Sequence, residues 1–154
     1  MNSEKNDLIE SKMIKLSSST SIVAKELIRK INDFLSSFDA HTIFSFSSAN
    51  ISAQEEKYMR FLSGITNEIS TLTSLNASLA SLIIEADRAA NIEATLLMQK
   101  RFDIFCLFES ALYDYTSNIE KAFTNKQAST SFIVLSTQKF KLSAENLLKE
   151  NSQD

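Results

Sequence analysis

EADRAANIEA, residues 85–94, sits inside an apolar pattern that has no proline anywhere and no glycine after Gly64. How this stretch is read decides the fold. Read straight through, it belongs to one helix of about 70 residues, about 105 Å long at 1.5 Å per residue. Broken between Asp87 and Asn91, it yields two helices of about 35 residues and about 50 Å each. Asn91 or Asp87 then caps the new start, because a short side-chain oxygen accepts from a free backbone N–H there. The break is the preferred reading, since helices of matched length suit an antiparallel bundle.

Working back from the break, Tyr58, Leu62, Ile65, Ile69, Leu72, Asn76, Leu79, Ile83, Ala86 and Ala90 recur at alternating steps of four and three. That is the heptad spacing of a helix with one packed face. Ser52 followed by Glu55 has the form of a capping box and places the helix start at residue 52. An earlier stripe, from Ile9 through Met13, Leu16, Thr20, Val23, Leu27, Ile31 and Phe34 to Phe38, marks a first helix over about 5–38. Working forward, Ala94, Leu97, Met98, Phe102, Phe105, Phe108, Leu112, Tyr115, Ile119 and Phe123 give a third helix with an aromatic centre. After TNKQA, Phe132, Leu135, Leu142, Leu147 and Leu148 give a shorter fourth.

The expected fold is all-α, a single domain over 1–154. It is an elongated antiparallel four-helix bundle with coiled-coil-like packing and helices at about 5–38, 52–87, 91–124 and 128–150. Helices 2 and 3 fused into one long helix are the alternative. With 154 residues, 44% of them hydrophobic, the chain is long enough to bury a core without disulfides or metals.

Composition excludes more functions than it suggests. A net charge of −3 and only the short basic pairs Arg29–Lys30 and Lys100–Arg101 argue against a nucleic-acid partner, which requires an extended cationic face. His41 is the only histidine, so neither a zinc site of nitrogen and sulfur ligands nor a Glu-x-x-His di-metal site can be assembled. Asp103, Glu109 and Asp114 lie beside the aromatic stripe, where solvated charges normally sit, and no nucleophile or phosphate-loop motif accompanies them. The expectation is a protein without enzymatic activity, cofactor or small-molecule substrate. Cys106 in IFCLF is expected to be a buried thiol. The N-terminal residues mix both charge signs and lack a secretory apolar region, so the expected location is the cytoplasm. No run of about 18 apolar residues occurs, which argues against a conventional membrane span. NIS at Asn50 and NAS at Asn76 match the glycosylation pattern by chance, without a secretory signal.

Two features remain. ISTLTSLNASLASLII, residues 69–84, has no charged residue, whereas an ordinary surface helix carries charge outward. Its outward positions are Ser70, Thr73, Ser74, Ser78 and Ser81, small side chains that let another helix approach closely. The expectation is a protein partner or a second copy on this face, set against a simply wet, serine-rich surface. Asn76 falls on the stripe itself, where a buried amide can set register, or at its edge with Leu75 and Leu79 facing inward. The second feature is HTIFSFSSANIS, residues 41–52, a connector longer than the two to eight residues usual between bundle helices. Ile43, Phe44 and Phe46 either plug the open end of the bundle or form an apolar tip for a partner or a bilayer. The competing function is therefore a membrane-associated or pore-forming helical protein.

Overall fold

A computed structural model describes residues 2–38 and 48–152. These described residues form four helices: α1 (Asn2–Ser36), α2 (Ser48–Arg88), α3 (Ile92–Thr124) and α4 (Thr130–Asn151). Among the described residues there is no strand. Each helix packs against the two beside it, in the cyclic order α1, α2, α3, α4, and α1 and α3 occupy diagonal corners. This is an all-α, up-down-up-down four-helix bundle. His41, Ile43, Phe44 and Phe46 lie outside the described residues.

The fused-helix alternative is overturned at residues 89–91. Ala90 takes a left-handed φ of 56°, which turns the chain out of α2 without a glycine. The turn is closed by Ala90 N–H donating to the Asp87 carbonyl and Asn91 N–H to the Ala86 carbonyl, both at 3.0 Å. Asn91 then caps α3, its Oδ1 accepting from Ala94 N–H at 3.1 Å. Its Nδ2 reaches Asn6 Oδ1 in α1 at 3.3 Å, tying the break to the neighbouring helix. The second connection repeats the device: Lys126 also has φ 56°, and Ser129 Oγ caps α4 by accepting from Phe132 N–H at 3.1 Å. At the other end of α2 the expected start is corrected. The helix begins at Ser48, so Ser52 is inside its first turns and exposed.

The main core spans all four helices. Leu27, Ile31 and Phe34 of α1 meet Tyr58, Ile65 and Leu72 of α2, Phe108, Tyr115 and Ile119 of α3, and Ile133, Phe140 and Leu147 of α4. Phe34 stacks on Phe61 at 4.2 Å, and Tyr115 on Phe140 at 4.9 Å. Full burial of each such side chain contributes roughly 1.5–3 kcal/mol. The 22 residues of α4 extend about 33 Å, against about 52 Å for the 35 residues of α1. Accordingly α4 stops beside Ser17, whose Oγ donates to the Asn151 carbonyl at 2.7 Å. Past that point the bundle continues as three helices around a second cluster of Ile9, Leu82, Ala86, Ala94 and Met98.

Within IFCLF the structure also differs from expectation. Phe105 and Phe108 enter the core, and Cys106 is exposed. The segment is apolar throughout, so composition alone did not say which side faces inward. Three residues earlier, Arg101 and not Phe102 takes the inward position between Met98 and Phe105.

Candidate interaction surface

The neutral segment lies in the second half of α2. Leu72 and Leu82 are buried, and Leu75 and Leu79 partly so, which anchors one side of the helix on the bundle. That anchoring turns Ser70, Thr73, Ser74, Ser78 and Ser81 outward, and all five are exposed. The chain's own helices do not cover them. Threonines on this face satisfy their hydroxyls along the helix: Thr73 Oγ1 donates to the Ile69 carbonyl at 3.0 Å and Thr71 Oγ1 to the Asn67 carbonyl at 2.8 Å. The face therefore offers small hydroxyl side chains, with Thr71 and Thr73 satisfied along the helix, and no ionised group.

Ser78 and Ser81 have a second role, as walls of a groove between α1 and α2. One cleft of ≈ 430 Å³ has Leu16, Leu75 and Leu82 among its lining and Ser19 opposite Ser78. It runs into a cleft of ≈ 570 Å³ that carries Leu8, Ile9 and Ile84. Ser81 and Glu85 line both, and Lys12 Nζ crosses to Glu85 Oε1 at 3.3 Å. Leu8 and Ile84 are more than half exposed, so this end of the groove presents apolar surface to water.

Asn76 is not brought together with the serines. It is partly buried and lines an interior cavity of ≈ 10 Å³, about the room needed for one water. This cavity marks the level at which α4 ends, and Ser17, Thr20, Arg101 and Asn151 contribute to its wall. Arg101 is 7% exposed with Nε unpartnered, and Asn76 Oδ1 and Glu150 Oε1 are also buried without partners. Burial holds the Arg101 pKa below its ordinary value, with Glu150 acting in the opposite direction. Glu150 itself is held by Lys100 at 3.7 Å. The polar layer was missed in the sequence because Lys100 and Arg101 read as a surface pair. The signal available was spacing, since Arg101 stands three after Met98 and four before Phe105.

The carboxylates set aside in the sequence, Asp103, Glu109 and Asp114, are all exposed on α3 and do not converge. Among the described residues no group of three or more His, Cys, Asp or Glu side chains is placed to hold a metal ion. By length and composition alone, α2 from Ile51 to Arg88 is apolar enough to cross a membrane, although it has no unbroken apolar run. Serine and threonine interrupt its apolar run without adding charge. Comparison with protein families, with curated proteins and with solved structures finds no match.

Proposed function

We propose that this chain is a non-enzymatic interaction or assembly protein that self-associates or binds another helical protein through the neutral face of α2. The observation that carries the reading is the exposure of Ser70, Thr73, Ser74, Ser78 and Ser81 on a segment with no charge across about four helical turns. Small side chains allow close helix approach, and with no ionised group on the face the desolvation cost of covering it is low; Thr73 already donates along its own helix. Solution mass measured by light scattering tests it, alone and with a candidate helical partner. Ser74→Glu places a charge in the middle of the face and is expected to reduce association. Asn76→Leu, which changes the interior layer, leaves the mass as it was. If Ser74→Glu alters neither self-association nor partner binding, the face is a wet surface and the reading fails.

A second reading, membrane association, is supported by the length and apolarity of α2. Liposome flotation distinguishes it: flotation that is lost when Phe44 and Phe46 are changed to serine supports it, and absence of flotation removes it.

A further inference from the structure

Charge is not spread evenly around the groove between α1 and α2. From α1 it is lined by Lys5, Lys12 and Lys15, and from α2 by Arg88 and one carboxylate, Glu85, which Lys12 already engages. Lys5, Lys15 and Arg88 form no ion pair among the described residues. A protein of net charge −3 thus has a cationic groove with an apolar floor.

The complementary surface is on the same chain, at a position the groove cannot reach. The outermost line of α3, taken at helical spacing, runs Ile92, Leu96, Asp103, Leu107, Asp114. Ile92, Leu96 and Leu107 are each about two-thirds exposed or more, among the largest exposures of any apolar side chain described. Asp103 accepts only from its neighbour Gln99 at 3.1 Å, and Asp114 has no ion pair among the described residues. Leu96 and Leu107 stand three turns apart, about 16 Å along the helix, while the groove extends from Lys5 to Ser19, about 21 Å. α1 and α3 are on diagonal corners, so one molecule cannot bring its own α3 stripe to its own groove.

We infer that the groove between α1 and α2 receives the outer face of α3 from a second copy of this chain. Leu96 and Leu107 cover the leucine floor, Ser19, Ser78 and Ser81 admit the incoming ridge, and Asp103 and Asp114 pair with Lys5, Lys15 and Arg88. Groove and ridge are different surfaces, so each contact is head to tail, and copies add on until a ring closes or an open chain keeps one free groove and one free ridge at its ends. This inference rests on the proposed assembly role and names the partner for it.

Sedimentation velocity on the full chain tests it, with circular dichroism confirming helicity of each variant. For the wild type, mass is expected to rise with concentration at low salt and to fall back at high salt. Lys5→Glu with Lys15→Glu makes the groove acidic, and Asp103→Lys with Asp114→Lys makes the ridge basic. Each double variant alone is expected to lose association about tenfold or more, because like charges then face each other. Mixed in equal amounts, the two regain it, since every groove meets a ridge of opposite sign. A mixture that stays monomeric overturns the inference. So does a wild type that associates, weakens with Ser74→Glu, and is indifferent to both charge variants; in that case the α2 face reading stands and only the groove assignment falls. A wild type that remains a single chain at all concentrations also overturns it, and leaves the α2 face to a foreign helix.

Discussion

Tyr58 and Tyr115 stand edge to face in the main core, ring centroids 5.9 Å apart at 79°, yet only one of them has a hydrogen-bond partner. Tyr115 Oη lies 2.7 Å from Thr137 Oγ1. The threonine has already given its proton to the Ile133 carbonyl at 2.7 Å, so the tyrosine donates. Tyr58 Oη is buried and unpaired.

That asymmetry predicts opposite results from the same substitution. Tyr115→Phe leaves the Thr137 oxygen short of a donor and should cost about 1 kcal/mol. Tyr58→Phe removes a buried hydroxyl that has no partner, and should leave stability unchanged or raise it by up to about 1 kcal/mol. Urea midpoints at constant slope read both. Equal losses would refute the assignment.

The same two rings predict an alkaline limit. Burial raises the pKa of both phenols well above the usual tyrosine value, and for Tyr58 the proximity of Tyr115 and Glu120 adds to it. The unfolded chain therefore releases these protons first. Their contribution is complete below about pH 10 and is lost as pH climbs beyond it, at up to about 1.4 kcal/mol per pH unit for each ring. Denaturation curves between neutral pH and pH 12 should show a steep decline above about pH 10. The double variant with Phe at 58 and 115 should flatten it.

Two connections hold a residue with a side chain in the left-handed region, Ala90 and Lys126, each at φ 56°. An L-residue there carries roughly 1–2 kcal/mol of strain, part of which glycine gives back through its freer unfolded chain. Ala90→Gly and Lys126→Gly should each stabilise by about 0.5–1 kcal/mol, visible as a higher melting temperature. A loss of stability at both would show that the turns do not have this conformation.

Cys106, expected in the core from its apolar surroundings, should react with a maleimide or disulfide reagent in the folded state, one thiol per chain. Partial desolvation, with Glu109 and Asp103 nearby, keeps its pKa above the ordinary thiol value. The rate should therefore still be climbing above about pH 9. Protection until the protein is unfolded would place the residue inside.

What was legible in the sequence is what depends on a residue and its near neighbours along the chain. The helical period, the polar pauses, and the short side chain of Asn91 that closes one helix and opens the next are local, and they determined four helices, a break before α3 and a shorter fourth helix. The exposure of Ser70, Ser74 and Ser81 follows from the same period. Only the tertiary structure decided how each helix is rotated about its own axis and where its neighbours end. In IFCLF every choice of inward side buries apolar surface, so the packing of Phe105 and Phe108 against α4 turned Cys106 out. Arg101 entered the interior because α4 stops at Ser17 and leaves a layer where polar groups from α1, α2, α3 and α4 meet. The groove with its lysines, and the α3 ridge that matches it, exist only once α1 and α2 lie side by side and α3 is on the far corner. Burial is settled among all the elements at once, and periodicity along one of them cannot specify it.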